Sequence, residues 1–222
     1  MSGLGVLVVG QSPRPEVAAL VADLAGPGVE LDLRGALDGF SRAELETMQP
    51  ECDAEALFTR LPDGSGVTLG KRHVIAHGTR QLDALTRAGH QVVMVMCTGA
   101  FPDWMARYRA VFPSRTLEAS VAACQPTGRL GVLVPIAEQC AGAHERWGGR
   151  GYDVSAAALS PNAGPAEIRS VASHLGKTGI DLLVLDCISY TRETKRLARE
   201  VAGVPAILAV SSAVRMALEL ID

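Results

Sequence analysis

Two cysteines close apolar runs of the same kind. Residues 91–97 read QVVMVMC and residues 181–187 read DLLVLDC. Each run passes at once into a short loop, Thr98 and Gly99 after Cys97, and Ile188, Ser189 and Tyr190 after Cys187. A free thiol titrates near about 8.5, so modest local effects leave one cysteine a thiolate while another stays protonated. Two such groups facing a carbon beside a carboxylate would carry out proton transfer. One removes the α-proton and the other returns a proton to the opposite face. The barrier then lies in the enolate-like intermediate, which loop N–H donors aimed at the carboxylate stabilise electrostatically. A single strand cysteine is by default a core thiol, because free cysteine is among the most buried residue types. Repetition of the pattern is what points to chemistry. Cys52, Cys124 and Cys140 lack that context and read as structural or incidental.

Other residues fall where a small anion would need them. GQSPRPE at 10–16 places Gln11, Ser12 and Arg14 ahead of a helical segment, and helix N-termini with exposed N–H groups favour anions. Arg14 adds a possible bidentate grip on a carboxylate. The matching loop PIAEQ at 135–139 presents Glu138 and Gln139. Lys71 and Arg72 open a long helical segment, and Arg72 joins the candidate carboxylate ligands. Each of these charges has an alternative as a solvated surface group. His73 and His77 share a helix face, but no third ligand has sensible spacing, so no metal is expected. Neither a GxGxxG fingerprint nor a Walker loop occurs.

The elements that must position these residues alternate. Segments 4–10, 91–97, 130–136, 181–187 and 206–210 are continuous apolar runs, as expected of strands buried on both faces. VELDLRGAL at 29–37 and YDVSAAAL at 152–159 read as peripheral strands. Helical periodicity occupies 15–26, 41–48, 71–89 and 165–179, and several of these segments end in glycine, as C-caps do. Strand and helix in alternation predict an α/β fold with parallel sheets. GVLVVGQ at 5–11 echoes GVLVPIAEQ at 131–139, so the chain reads as two similar halves, the second opening near residue 127. The spacing from opening strand to cysteine is longer in the first half, which places an insertion around 38–70, where DGSG marks a turn. Outside the carboxyl ends of parallel strands is where ligands bind in such folds.

Composition narrows the function classes. The chain has 222 residues, a net charge of −3, and only 4% aromatic residues. The acidic balance argues against a nucleic-acid partner, and no apolar stretch is long enough to span a membrane. The opening MSGLGVLVVGQ lacks a cationic lead and cleavage site and reads as a first strand. Five cysteines without a CxxC pair fit the reducing cytoplasm.

The opening GVLVVGQSPRPE, the middle FPSRTLEA and GVLVPIAEQ, and the late VLDCISY together resemble the AroM family, within the aspartate/glutamate racemase superfamily. That resemblance implies a cofactor-independent enzyme with its site in a cleft between two pseudo-symmetric α/β halves. It implies a first domain of residues 1–100 completed by 205–222, and a second of residues 101–204. Cys97 and Cys187 match the two acid/base cysteines, Thr98 and Gly99 the residues holding the substrate carboxylate, and Ser189 the loop after the second cysteine. The implied partner is a small carboxylate substrate, and dimers are common in the superfamily, which suggests a homodimer. Superfamily racemases often carry Cys-Asn-Thr and Cys-Thr-His where this chain has Cys-Thr-Gly and Cys-Ile-Ser. A substrate other than an ordinary acidic amino acid is therefore expected. A single-cysteine isomerase or decarboxylase and a non-catalytic metabolite-binding protein are the alternatives.

Overall fold

A computed structural model describes residues 3–25 and 28–221. The elements run β1 (Gly3–Val8), α1 (Pro15–Ala25), β2 (Glu30–Gly35), α2 (Arg42–Glu46), β3 (Ala56–Arg60), β4 (Gly66–Gly70), α3 (Lys71–Arg87) and β5 (Val92–Met96). They continue through α4 (Pro102–Arg107), β6 (Ala110–Val111), α5 (Pro113–Cys124), β7 (Arg129–Val134), α6 (Gln139–Gly148) and β8 (Asp153–Ala158). The chain closes with α7 (Pro165–Lys177), β9 (Leu182–Leu185), α8 (Arg192–Ala202), β10 (Ala206–Leu208) and α9 (Ala209–Glu219). Gly26, expected to cap α1, lies outside the described residues. Among the described residues no helix is long and apolar enough to cross a membrane.

Two four-stranded sheets, ordered β2-β1-β5-β6 and β8-β7-β9-β10, are parallel throughout. In each, the half's first strand lies between its second and third, and the fourth strand takes the edge. The repeat seen in the sequence is thus a repeat of topology. Every residue of β5 and β9 is buried, which explains why both read as unbroken apolar runs.

The chain forms two compact units, Met1–Thr116 with Ala213–Asp222, and Leu117–Ser212. The chain leaves the first unit within α5 and re-enters it within α9. These borders differ from the division expected from sequence. β10 is not a strand of the first sheet: Ala206, Ile207 and Leu208 pair with Leu183, Val184 and Leu185 of β9. Residues 102–116 belong with the first unit, because β6 pairs with β5 at Val93 and Met94. Helix α4 likewise seats Trp104 on α3, its indole N–H donating to Thr79 Oγ1 at 2.9 Å. Gly78 makes room for that ring, since a Cβ there would lie 2.7 Å from it.

The expected insertion is an antiparallel hairpin, β3–β4, with Ala56–Arg60 paired to Gly66–Gly70. Gly64 takes a left-handed φ of 83° at its turn, a conformation glycine adopts without steric cost.

On β2, Asp32 accepts from Arg34 at 2.9 and 2.7 Å and lies 3.0 Å from His90 Nε2. The Arg34 hydrogen bonds, opposed by burial and aided by His90, bring its carboxyl down to about 2. A depressed acid stabilises the fold above its unfolded value of 3.8, and that contribution is lost as pH falls through about 2. Urea titrations between pH 4 and 2 are expected to show a stability loss on the order of 1–2 kcal/mol that Asp32→Asn removes. An identical slope in both proteins would exclude this ion pair as its source.

Candidate functional site

The strand-end cysteines occupy equivalent stations in the two sheets. Gly5 of β1 pairs with Val93, and Gly131 of β7 pairs with Leu183. Four residues beyond Val93 stands Cys97, and four beyond Leu183 stands Cys187. In a sheet ordered second-first-third, the crevice outside the carboxyl ends of the first and third strands is where ligands bind. Each cysteine stands at that crevice within its own unit.

The local structure around the thiols repeats as well. Gly99 N–H donates to Cys97 Sγ at 3.3 Å, and Ser189 N–H donates to Cys187 Sγ at 3.4 Å. In both units a backbone N–H two residues on turns back to the sulfur. Both cysteines are mostly covered, at 7% and 5% exposure.

In the first unit, the hairpin covers the strand-end loops. A Cβ on Gly10 would strike the Thr59 side chain and lie 3.1 Å from the Arg60 carbonyl. A Cβ on Gly99 would meet Leu57, Cys97 Sγ and Phe101 at 3.2, 3.3 and 3.4 Å. Arg14 also donates to the Arg60 carbonyl at 3.4 Å. β3 therefore packs on both the β1 loop and the Cys97 loop. Gly10→Ala is expected to cost about 1–3 kcal/mol in urea unfolding through overpacking, with faster proteolysis at the hairpin. Parental stability and hairpin protection would contradict that packing.

The sequence-derived site residues separate by role. The Gln11 amide donates to the carbonyls of Leu37 and Phe40 at 3.1 and 2.6 Å, fastening the loop after β2. The Ser12 N–H and hydroxyl both donate to Asp38, at 2.6 and 2.8 Å, and the Ser12–Pro13 peptide is cis. Arg14 is 3% exposed and paired with Glu16. These three brace the first loop on the loop after β2, on α1 and on the hairpin. Arg72 is exposed and paired with Glu51. Its neighbour Lys71 instead lies over Phe101, Nζ 5.5 Å from the ring centroid. Thr98 and Gly99 are half-buried beside Cys97.

In the second unit, Glu138 is exposed at the entrance to α6, and Gln139 begins that helix half-buried. Ile188 is half-buried and Ser189 buried in the loop between β9 and α8. Tyr190 fastens this loop by donating its hydroxyl to the Leu159 carbonyl at 2.7 Å. Burial, with charge on the Cys187 and Cys140 sulfurs, pushes its phenol well above 10, so it stays neutral.

Sequence reasoning missed Asp186 and Arg146. Asp186 directly precedes Cys187 and is 5% exposed, and its carboxylate accepts from Arg146 of α6. Burial pushes the Arg146 guanidinium down to about 10, with Glu118 opposing the shift. It remains a cation at neutral pH. The signal was present as an acidic residue inside an apolar strand run, which is costly unless paired. Its partner, 40 residues away, could not be read from the pattern. Among the described residues no three His, Cys, Asp or Glu side chains form a metal-binding group.

A family model described as AroM protein matches residues 4–221. A comparison with curated protein sequences finds no match. Among solved structures, the chain is similar to a liganded mutant of arylmalonate decarboxylase, at 14% identity and TM-score 0.67, covering 99% of this chain and 92% of that one. It is similar to the maleate isomerase Iso from Pseudomonas putida S16, at 13% identity and TM-score 0.66, with 98% and 92% covered. Allantoin racemase from Klebsiella pneumoniae matches at 15% identity and TM-score 0.63, with 99% and 87% covered. At these identities the likeness is one of fold.

Proposed function

This chain belongs to the AroM family, and from that premise we propose that it is a cofactor-independent racemase or isomerase of a small carboxylate compound. The observation that carries this reading is the duplicated thiol loop. Cys97 and Cys187 stand at equivalent strand ends, each receiving an N–H from two residues on. That is what a pair of interchangeable acid/base groups requires.

In this mechanism one cysteine, as thiolate, removes the proton from the carbon beside the substrate carboxylate. The electron pair moves into the carboxylate, giving an enediolate. The other cysteine, as thiol, then protonates the carbon from the opposite face. Thr98, Gly99, Ile188 and Ser189 supply the loops for the anionic group, with Glu138 and Gln139 beside the second. Gln11, Ser12 and Arg14 hold the first-strand loop in shape. In this reading the protein acts in the cytoplasm.

One observation favours a second reading. Met96 precedes Cys97, whereas the charged Asp186 precedes Cys187, so the two thiols have unlike surroundings. A single-cysteine isomerase or decarboxylase would use that asymmetry, with Cys187 as the proton donor to a carbanion. The test is proton NMR in D₂O with a panel of α-amino, α-hydroxy and α-aryl carboxylic acids, maleate and substituted malonates. Deuterium at the α-carbon without loss of CO₂ supports the racemase reading. Deuterium accompanied by CO₂ release supports the single-cysteine reading. Absence of both across the panel, with ligand binding retained, would show a metabolite-binding protein instead.

A further inference from the structure

We propose that Lys71 is the cation that receives the substrate carboxylate at the Cys97 loop, making the site selective for anionic over neutral compounds. The inference rests on the proposed carboxylate chemistry and names the residue that recognises the charge. Lys71 follows directly on β4, the second strand of the hairpin that lies on the Cys97 loop. Its ammonium stands over Phe101, and Phe101 touches the position a Gly99 Cβ would occupy, as does Cys97 Sγ. The contacts thus run from Nζ through Phe101 and Gly99 to the sulfur.

Three further observations separate Lys71 from an ordinary surface lysine. It is half-buried, and among the described residues no carboxylate lies within ion-pairing distance of it. Two other cations near this loop are matched, Arg14 by Glu16 and Arg72 by Glu51. The first turn of α3 contains Lys71 and Arg72 and no acidic residue, so positive charge stands at the positive end of the helix dipole. His73 Nε2 in that turn is buried without a hydrogen-bond partner. An incoming carboxylate would relieve the charge excess. The departure from Cys-Asn-Thr then has a physical counterpart: the charge recognition missing after the cysteine is supplied from α3.

The test compares alkylation of Cys97 by iodoacetate and iodoacetamide, near-isosteric reagents that differ in carrying a carboxylate. Rates are read at Cys97 by peptide mass spectrometry on the intact, folded protein at about 0.15 M salt, where distant surface charges are largely screened. The ratio of the two rates is expected to fall by about 10-fold or more in Lys71→Met. It should be retained in Lys71→Arg and in Arg80→Met, an exposed cation on the same helix. An unchanged ratio in Lys71→Met overturns the proposal. Equal loss in Arg80→Met overturns it too, by showing a general field effect. So does a Cys97 sealed against both reagents, because a carboxylate held by Lys71 would then not reach the thiol. The readout is independent of turnover. A Lys71-dependent ratio without α-carbon exchange would leave the carboxylate site standing and the racemase reading fallen.

Discussion

Replacing either strand-end cysteine is expected to abolish α-carbon inversion. Cys97→Ala and Cys187→Ala should each lower the rate by roughly 10²- to 10⁴-fold, the usual contribution of a positioned acid or base. The double variant should lose little more than the worse single one, because groups acting as one unit are strongly non-additive. Both changes remove a small group from a mostly covered position. Folding must therefore be checked by circular dichroism, and Cys→Ser retains most of the volume. Inversion tolerant of Cys97→Ser and lost only in Cys187→Ser would move the mechanism to a single proton donor. Cys52 and Cys124 are exposed and free, and their replacement should leave the rates unchanged.

The largest stability effect is expected at Arg146. Asp186 is 5% exposed and Arg146 22% exposed, so removing one partner leaves the other charge nearly buried. Arg146→Met is expected to destabilise the protein by about 3–5 kcal/mol, the cost of breaking a buried ion pair. The guanidinium, held down to about 10 by burial, is charged throughout the neutral range. An arginine depressed in the fold costs stability while both states keep the proton, and that cost eases only as pH rises past about 10. Titration of the guanidinium itself therefore adds no pH dependence between pH 6 and 8. Arg146→Met combined with Asp186→Leu removes both charges and should recover much of the loss, since apolar replacements of buried pairs are often neutral or better. Urea denaturation read by intrinsic fluorescence and by circular dichroism checks both variants. A single variant as stable as the parent would mean that the pair is solvated. Because Asp186 precedes Cys187, the single variant should also slow exchange.

The parts of this fold legible in sequence share one physical cause. β1, β5, β7 and β9 are covered on both faces, so their residues read as unbroken apolar runs, and the GVLV echo at 5–8 and 131–134 reports equivalent central strands. β10 pairs at only three positions, and AILAV carries nothing that selects one parallel sheet over another. Residues 209–210 of that run belong to α9, a boundary without glycine or proline to mark it. β6 is two residues long and leaves no periodic signal. The hairpin's DGSG turn was readable, but β3 and β4 mix buried and exposed positions without clean alternation.

The site divides in the same way. The equivalent strand-end positions of Cys97 and Cys187 were legible because the pattern occurs twice. Gln11, Ser12 and Arg14 were placed at the correct strand end, yet their side chains are spent on Leu37, Phe40, Asp38, Glu16 and the hairpin. Only tertiary partners reveal that. Lys71 and Arg72 are adjacent cations of equal claim in the sequence. Helix phase separates them, turning one toward Phe101 and the other toward Glu51.

In the proposed reaction Cys97 and Cys187 together move a proton at a carbon beside a carboxylate. Its most direct test starts from one enantiomer of a turned-over acid in D₂O and follows the deuterium content of both enantiomers during early turnover. Two-base transfer predicts deuterium entering the inverted product while the remaining starting enantiomer keeps its protium. Deuterium appearing equally in both enantiomers from the first turnovers, or at the same rate in Cys97→Ala and Cys187→Ala, would contradict it.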